Sequence, residues 1–272
     1  MTLFLIIFAI LIFLASVILF LIFPSIKKHP DLDVLKGMLI AHRGLHKNSE
    51  NIPENSLKAF SSAAEQGFAI ENDVHLTADG EVVVFHDHSL LRMCGEDKFI
   101  EEMTLDEIKK YPLLGSGEFI PTLKECLAVV DGKVPILIEF KCKNLIDCND
   151  LCEAANKILS DYKGKYFVQS FYPMVLKWYR KNRPDILRGQ LSEAFKGEAI
   201  YKKMLGNMLF NFISRPYFIS YEHISKKKVM FKLVKRLGGF PVGWTFRSQK
   251  ELNLSKTDFN TYIFEDFIPK PH

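Results

Sequence analysis

Polar side chains end or interrupt three short apolar runs in the first third of the chain. The first run ends in His42 and Arg43, the second contains Glu71 and Asp73, and the third ends in His86. Histidine titrates near neutral pH and can transfer protons, whereas paired carboxylates bind hard divalent cations. An arginine beside them can bind the oxygens of a phosphate group. Together, these residue types predict a metal-assisted reaction on a phosphate ester.

The sequence around these residues predicts the elements that bring them together. Residues 38–41 are typical of a short buried strand, and residues 53–67 of a helix that returns the chain to the start of the sheet. The next apolar run, residues 69–76, is therefore predicted to be a parallel neighbour of the first strand. Because side chains alternate along a strand, Glu71 and Asp73 are expected on the same face.

A turn signal at residues 78–80 predicts that the chain then reverses direction. The connection is too short for a crossover, so residues 81–85 are expected to pair back as a hairpin arm. The arm would place His86 near the two carboxylates, and His42 ends the adjacent parallel strand at the same edge. Two imidazoles, two carboxylates and an arginine are therefore expected at one rim of the sheet.

The order of these residues resembles the motif pattern of the glycerophosphodiester phosphodiesterases. The resemblance covers about residues 38–269, and no catalytic motif of that family is missing from the sequence. Seven motifs carry it, in the order of the family: His42-Arg43, Glu54-Asn55, Glu71-Asn72-Asp73, His86-Asp87, Leu137-Ile138-Glu139-Phe140-Lys141, Phe167-Val168-Gln169-Ser170-Phe171 and Gly243-Trp244-Thr245. Any one of these pairs is weak evidence, but seven in the right order are specific.

The resemblance implies a metal site formed by Glu71, Asp73 and Glu139. Three carboxylates with open positions for water suit one hard divalent cation, Ca²⁺ or Mg²⁺, and the residue types do not distinguish between the two. Surface acids at strand ends are the alternative interpretation. Unpaired carboxylates within apolar strands would be costly to bury, which favours the metal.

His42 and His86 are expected to form the general acid–base pair of the reaction. One imidazole can accept a proton from a nucleophilic hydroxyl while the other donates a proton to the leaving alkoxide. A lone histidine is more often structural. Two histidines that end strands beside a carboxylate pair, within the matched motifs, favour catalysis.

The resemblance also implies a set of substrate-binding residues. These are Arg43, Lys141, Glu54, Gln169 and Trp244. Arg43 and Lys141 can bind phosphoryl oxygens, although salt bridges to the nearby carboxylates would also explain them. Trp244 can pack against a glycerol group or belong to the core. Asn55, at the start of a predicted helix, is also explained as a helix cap.

The reaction that the resemblance implies is hydrolysis of a glycerophosphodiester to sn-glycerol 3-phosphate and an alcohol. Lysophospholipids are further candidate substrates, as for a lysophospholipase D. The glycerol hydroxyl beside the phosphodiester is the expected nucleophile and would give a cyclic phosphate that water opens; direct attack by water would use the same residues. The alternatives are a barrel phosphodiesterase of phospholipase C type for another headgroup and a non-enzymatic lipid-binding membrane protein.

Strands and helices alternate after the hairpin arm, which predicts a TIM-type (β/α)8 barrel. The chain has 272 residues, enough for one such barrel after a hydrophobic N-terminal segment. Six further strands are predicted, at residues 136–141, 166–170, 186–191, 217–221, 242–245 and 261–264. With the first two, these make the eight strands of a closed barrel. A small insertion, about residues 89–134, follows the arm.

The N-terminal segment is predicted to be a single transmembrane anchor, residues 1–24. Residues 3–23 carry no charge and are long enough as a helix to span a bilayer core. A cleaved signal peptide is the alternative, but no basic residue precedes the segment and it lacks a suitable cleavage site. Residues 25–37 are predicted to be a linker and residues 38–272 the catalytic domain. Lysines follow the segment and none precedes it, which predicts a cytoplasmic catalytic domain.

Composition excludes some partners and constrains the compartment. The chain has 36 basic and 32 acidic residues, and a net charge of +4 this small argues against nucleic-acid binding. Its five cysteines, an odd number without disulfide or zinc spacing, favour a reducing compartment. The sequence does not predict the oligomeric state.

A basic, amphipathic segment at residues 222–238 has two interpretations. Its apolar residues fit one face of an outer helix packed on the barrel. Its basic residues could also face an anionic membrane surface, which would place the mouth of the barrel close to the membrane.

Overall fold

The computed structural model describes residues 1–144, 148–195 and 197–270, and its centre is a nine-stranded sheet. The strands are β1 (Leu39–Ala41), β2 (Ala69–Leu76), β3 (Val82–Val84), β4 (Ile136–Phe140), β5 (Tyr166–Ser170), β6 (Arg188–Ser192), β7 (Phe218–Glu222), β8 (Phe240–Phe246) and β9 (Thr261–Phe264). Eight of them are parallel, in the order β1-β9-β8-β7-β6-β5-β4-β2, and β1 also pairs with β2. The sheet therefore closes into the predicted TIM-type barrel.

Helices connect the strands and cover the outside of the barrel. The described residues include α1 (Thr2–Ile22), α2 (Leu32–Leu35), α3 (Leu57–Glu65), α4 (Leu91–Cys94), α5 (Leu105–Ile108), α6 (Leu123–Val130), α7 (Asn149–Leu159), α8 (Pro173–Asn182), α9 (Ile200–Gly206), α10 (Asn211–Ser214), α11 (Val229–Arg236) and α12 (Gln249–Asn253). Helix α3 begins after Ser56, whose hydroxyl accepts a hydrogen bond from the Ala59 N–H at 3.2 Å. Ser56, not Asn55, is therefore the helix cap.

The predicted hairpin arm is present. Strand β3 runs antiparallel to β2, with Val74 opposite Val84, and it lies outside the closed barrel. The Phe85 N–H then donates to the Asp73 carbonyl at 3.0 Å, which brings the end of the arm back to the end of β2.

The predicted insertion, about residues 89–134, has two parts. Its first part, together with β3, forms a small core of its own. That core contains Val83, Phe85, Leu90, Met93, Ile100, Met103, Ile108, Leu113 and Ile120. Its second part contains α6, which packs beside α3 in the outer ring of helices.

The interior of the barrel has two layers. The lower layer is apolar and contains Ile40, Ala69, Leu137, Phe167, Leu187, Phe218, Val242 and Ile263. The side chain two residues after each of these floor residues lies on the same, inward face of its strand. At those positions stand His42, Glu71, Glu139, Gln169, Gly189, Ser220, Trp244 and Glu265. The apolar layer is thus the floor of a mostly polar layer at the carboxyl end of the barrel.

Helix α1 is, in the part of the chain that the structure describes, the one helix long and apolar enough to cross a membrane. Its last turn contacts the barrel. The Asn211 Nδ2 donates to the Ile22 carbonyl at 2.8 Å, and the Arg215 Nη1 donates to the Phe23 carbonyl at 2.7 Å. Arg215 shortly precedes β7, so this contact lies at the end where the strands begin, opposite the polar layer.

The segment predicted as a linker, residues 25–37, also contacts this end of the barrel. It contains α2, and Leu35 of α2 is fully buried against the apolar floor. The Thr261 hydroxyl donates to the Leu35 carbonyl. The base of the barrel is therefore closed by residues that precede β1.

Candidate active site

Three carboxylates lie together at the carboxyl end of β2 and β4. Glu71 and Asp73 are on β2, and the parallel register places Glu139 of β4 opposite Asp73. The three residues are 1%, 0% and 6% exposed. One oxygen of each carboxylate lies within 4.8 Å of those of the other two. The structure thus brings together the residues predicted to hold a metal ion.

Lys141 and Arg43 bring positive charge to this cluster. The Lys141 Nζ lies 3.2 Å from Asp73 Oδ1 and 2.6 Å from Glu139 Oε1, and the Arg43 Nε lies 3.6 Å from Asp73 Oδ2. Burial alone would raise the pKa of Asp73, but Lys141 and the neighbouring cations hold that pKa far below its usual value. Burial and the two other carboxylates raise the pKa of Glu71 well above its usual value.

This charge balance fits a hard divalent cation. Three buried carboxylates face two cationic side chains, so one negative charge is not compensated. Burial, joined by repulsion from Asp73, also raises the pKa of Glu139. A bound cation would relieve this repulsion, and carboxylate oxygens are the donors that Ca²⁺ and Mg²⁺ prefer.

His42 follows β1 and is held by a carboxylate that follows β9. Its Nδ1 lies 2.5 Å from Glu265 Oε2, and its Nε2 lies 4.0 Å from Glu71 Oε2. Burial lowers the pKa of His42, although Glu265 acts in the opposite direction. Burial would raise the pKa of Glu265, but the hydrogen bond from His42 and the charges of His42, Arg247 and Arg43 together outweigh it, and the pKa falls to about 2. A neutral His42 that donates Nδ1–H to Glu265 keeps the Nε2 lone pair towards the site.

The turn after His42 positions Arg43. Arg43 has a φ of 56°, and its backbone N–H donates to Glu71 Oε2 at 3.1 Å. Gly44 follows with a φ of 79°, and a Cβ there would meet backbone atoms of Ala59 at 2.7 Å. Only glycine allows this close approach of α3 to the turn. The Arg43 Nη1 donates to Glu54 Oε1 at 2.7 Å, which fixes the side chain as well.

Asn55 contributes to the site rather than to helix capping. It has a φ of 56°, and its Nδ2 donates to Asp73 Oδ2 at 2.9 Å. The hydrogen bond stabilises the ionised carboxylate and thereby helps to lower the pKa of Asp73.

His86 stands on the hairpin arm at the mouth of the barrel. Its Nδ1 lies 2.6 Å from Asp87 Oδ1. The Arg92 Nε donates to Asp87 Oδ2 at 2.6 Å, and the Arg92 Nη2 donates to Glu54 Oε1 at 2.6 Å. Burial would raise the pKa of Asp87, but the hydrogen bonds from His86 and Arg92 hold it well below its usual value. Arg92 therefore connects the arm to the loop that carries Glu54.

Gln169 and Trp244 complete the wall of the barrel mouth. Gln169 of β5 is opposite Glu139 in the register, and its Oε1 is buried. The Nε1 of Trp244 is buried as well, and neither atom has a hydrogen-bond partner among the described residues. These two atoms can therefore bind a polar group of a ligand.

A cavity of about 900 Å³ opens beside His86 and Lys141. Its lining includes a largely aromatic wall of Phe171, Tyr172, Phe195, Tyr201 and Leu205. The polar residues Asp87, His88, Lys143, Asn144, Glu193 and Lys202 also line it. The cavity thus joins the polar residues of the site to an apolar surface.

Every predicted site residue lies at this end of the barrel, but Glu54 contacts Arg43 and Arg92 rather than the carboxylate cluster. Glu265 and Arg92 are not among the residues predicted from the sequence. Glu265 directly follows a predicted barrel strand. A charged residue at the carboxyl end of a barrel strand is the signal that could have identified it as a site residue. Arg92 carries no such signal, because it lies in the insertion.

Comparisons with known proteins identify the family of the chain. A model of the glycerophosphoryl diester phosphodiesterase family matches residues 42–266. The chain is 34% identical over 167 residues to a glycerophosphodiester phosphodiesterase of Caldanaerobacter subterraneus subsp. tengcongensis, which covers 58% of this chain and 67% of that protein. It is also 27% identical to a lysophospholipase D of Homo sapiens. That alignment of 186 residues covers 62% of this chain and 57% of that protein.

A solved structure shares the fold. It is a phosphodiesterase of Oleispira antarctica in complex with the product sn-glycerol 3-phosphate, with a TM-score of 0.70 and 24% identity over 86% of this chain and 94% of that chain. The family model begins at His42, directly after β1, covers the other seven strands of the barrel and extends past Glu265. The chain is therefore an enzyme of the glycerophosphoryl diester phosphodiesterase family.

Proposed function

We propose that this enzyme hydrolyses glycerophosphodiesters to sn-glycerol 3-phosphate and an alcohol in a metal-dependent reaction. The observation that carries the proposal is the convergence of His42, the His86–Asp87 pair and three buried carboxylates at one end of the barrel. Cleavage of a phosphodiester needs charge neutralisation, a base and an acid in one place. This set of side chains supplies all three.

One divalent cation, Ca²⁺ or Mg²⁺, is proposed to bind to Glu71, Asp73 and Glu139. When bound, it would neutralise charge on the phosphoryl oxygens. Arg43 and Lys141 contact the same cluster, so their charges are placed to bind a phosphate group there. The uncompensated charge of the carboxylates supports the metal site.

His42 is proposed as the general base and His86 as the general acid. His42 is neutral at pH 7 because burial lowers its pKa, and it accepts the proton of the glycerol hydroxyl beside the phosphodiester. The hydroxyl oxygen attacks phosphorus and forms a cyclic phosphate. The bond to the alcohol oxygen breaks, and His86, oriented by Asp87, donates a proton to that oxygen. Water then opens the cyclic phosphate, with the two histidines in exchanged roles.

The remaining predicted residues have different proposed roles. Gln169 and Trp244 would contact the glycerol group, since their buried polar atoms have no partner among the described residues. Glu54 would act through Arg43 and Arg92, both of which it binds.

Lysophospholipids are proposed as additional substrates. The aromatic wall of the cavity beside His86 can cover the apolar part of such a molecule while its phosphate lies at Lys141. The similarity to a protein named lysophospholipase D supports this extension.

Helix α1 is proposed to anchor the enzyme in a membrane, with the catalytic domain, residues 38–272, on the cytoplasmic side. The apolar side chains of α1 are exposed along nearly all of its length. Lys27, Lys28 and Lys36 follow it and no basic residue precedes it. In this arrangement residues 25–37 connect the anchor to the barrel.

The substrate assignment is tested with the full-length chain in detergent. Glycerophosphocholine, a lysophospholipid and an inositol-containing phospholipid are supplied separately, and the released products are identified. We expect free glycerol 3-phosphate from glycerophosphocholine. Release of phosphocholine or diacylglycerol instead would indicate a phospholipase C type reaction and contradict the proposal.

Metal dependence is the first prediction. Excess EDTA should abolish hydrolysis, and Ca²⁺ or Mg²⁺ should restore it. Glu71→Gln should fold but lose activity, because it removes one of three carboxylates from the cluster. Glu102→Gln is the matched control, since Glu102 is exposed and contacts only Lys143 among the salt bridges of the described residues. Full activity in excess EDTA would show that the reaction does not need the metal.

A further inference from the structure

A second cluster of possible metal ligands lies beside the hairpin arm. It consists of His75 of β2, His88 after the arm and Glu101 in the 3₁₀ helix Ile100–Glu102. One ligand atom from each residue lies within 4.8 Å of those of the other two. None of these residues is among the proposed catalytic or metal-binding residues of the active site, although His88 also lines the cavity beside His86, and His75 is fully buried.

Hydrogen bonding defines how His75 is oriented. Its Nε2 lies 3.3 Å from the His86 carbonyl, which can only accept a hydrogen bond, so this nitrogen carries the hydrogen. In a neutral ring the Nδ1 of His75 then has a lone pair. That lone pair faces Glu101 Oε1 at 2.8 Å, which is also an acceptor. A proton between the two atoms satisfies both, and a metal cation can take the place of that proton.

His88 adds a second imidazole to the same oxygen. Its Nδ1 lies 2.6 Å from Glu101 Oε1, so two ring nitrogens converge on one carboxylate oxygen. The rings of His75 and His88 are 5.0 Å apart and almost perpendicular, at 86°. Two imidazole nitrogens and one carboxylate oxygen are the three protein ligands of a common type of zinc site.

We propose that His75, His88 and Glu101 bind a transition-metal ion, with Zn²⁺ as the expected ion, at a site distinct from the three-carboxylate cluster. Imidazole nitrogen favours zinc and related metals, whereas Ca²⁺ and Mg²⁺ prefer oxygen donors. Zinc bonds to these atoms are about 2.0–2.2 Å long, so tetrahedral ligand atoms lie roughly 3.3–3.6 Å apart. The distances from Glu101 Oε1 to the His75 and His88 ring nitrogens, 2.8 Å and 2.6 Å, are shorter than this, so the Glu101 side chain as well as the half-exposed His88 must shift by about 1 Å or less to admit the ion.

The hydrogen bond from His75 to the His86 carbonyl has the form expected next to a metal ligand. A histidine that binds a metal usually donates its other ring N–H to a carbonyl or carboxylate, which fixes the ring. Here the acceptor is the backbone of the proposed general acid, His86. The ion would thus join β2, the arm and the insertion, and stabilise the segment that carries His86.

The test measures zinc binding directly and uses the full-length chain in detergent after removal of metals. The starting protein is the variant Glu71→Gln/Glu139→Gln, in which the three-carboxylate cluster is disabled. Isothermal titration calorimetry with Zn²⁺ is expected to show one site per chain. Thermal unfolding is expected to shift to higher temperature with Zn²⁺, since an ion that binds only the folded state stabilises it.

Three further substitutions in that background separate the outcomes. Adding His88→Ala or Glu101→Gln should abolish both the zinc binding and the thermal shift, whereas adding Glu102→Gln, the same change one residue away, should leave both intact. His88 is partly exposed, so its substitution is not expected to prevent folding. Absence of Zn²⁺ binding in the starting variant would overturn the proposal, and so would binding that survives His88→Ala and Glu101→Gln.

Discussion

The acid–base behaviour of His42 depends on charged groups from several elements. Burial lowers its pKa below the usual 6.5, Glu265 and Asp73 raise it, and Arg43 lowers it. A general base acts when deprotonated, so kcat/KM remains high above this pKa and falls as the pH drops through it. We expect the acid limb of the pH–kcat/KM profile to lie below pH 6.5. Glu71 Oε2 lies 4.0 Å from the His42 Nε2, so Glu71 is left unchanged in the protein used for this measurement.

Glu265→Gln provides the control for that profile. The carboxylate raises the pKa of His42, so its removal should shift the acid limb to still lower pH and reduce kcat. Glu265→Asp should restore part of the activity because it keeps the charge. An unchanged pH profile in Glu265→Gln would show that Glu265 does not act through His42.

Replacement of either proposed catalytic histidine is expected to reduce kcat strongly. His42→Ala and His86→Ala should each lower kcat by roughly 10²-fold or more, with the double variant little worse than the single ones. His29→Ala is the matched control, since His29 is buried at the base of the barrel, against the Asp185 carbonyl. If either single variant kept a nearly normal kcat, the substituted histidine would be structural rather than catalytic.

At the scale of elements, the sequence predicts the strands that carry the site best. The bounds predicted for residues 69–76, 166–170 and 261–264 agree with β2, β5 and β9. Each of these runs is apolar at alternate positions or throughout, and polar or turn residues bound it. The short turn after β2 leaves only the antiparallel arm, which is also confirmed.

Other elements differ from the prediction because tertiary contacts decide them. The strand predicted at 186–191 is β6, Arg188–Ser192, since Ile186 instead closes a turn with Arg183. The helix predicted across 222–238 is a 3₁₀ turn followed by the shorter α11.

Some of the lysines around α11 donate hydrogen bonds to backbone carbonyls of the same chain. The Lys226 Nζ donates to the Leu254 carbonyl at 2.7 Å, and the Lys228 Nζ donates to the Ala194 carbonyl at 2.8 Å. Such contacts between distant segments leave no local pattern, and the same holds for Glu265 with His42. Single-sequence reasoning therefore finds the residues at strand ends and misses their partners.

The junction between the arm and the barrel depends on Arg92. Arg92→Met removes the charge that binds Glu54 and Asp87 at the same time. We expect a several-fold loss of kcat with a smaller change in KM, because His86 loses its fixed position while the phosphate-binding cations stay in place. Arg92→Lys should recover little activity, since lysine lacks the planar fork that reaches both carboxylates. The prediction fails if Arg92→Met keeps full kcat.

At the scale of the whole molecule, the base of the barrel depends on residues that precede it. Ile22 and Leu35 are both fully buried. We expect a chain without residues 2–19 to keep its thermal stability, and a chain without residues 2–37 to unfold at a temperature lower by roughly 5–10 °C, because it loses two buried aliphatic side chains. Both chains lack the apolar helix, so the comparison isolates the packed segment. Equal unfolding temperatures would show that this packing contributes nothing.

The contact of α1 with the barrel also bears on where substrates enter. Asn211 and Arg215 hold the last turn of α1 at the base, at the opposite end from His42 and His86. The contact itself thus gives no support to a barrel mouth at the membrane surface. Substrates that reach the site through water, including lysophospholipid monomers, are compatible with this geometry.

The pairing of β1 with β9 sets the order in which the enzyme can become active during its synthesis. His42 and Glu265 are 223 positions apart, so the ribosome completes the first long before the second. During that time α1 can already enter a membrane, while β1 still lacks one of its two neighbours. With α1 as the proposed anchor, a nascent chain would be attached before it is competent, and no phosphodiester is cleaved until β9 has been released and the barrel closes.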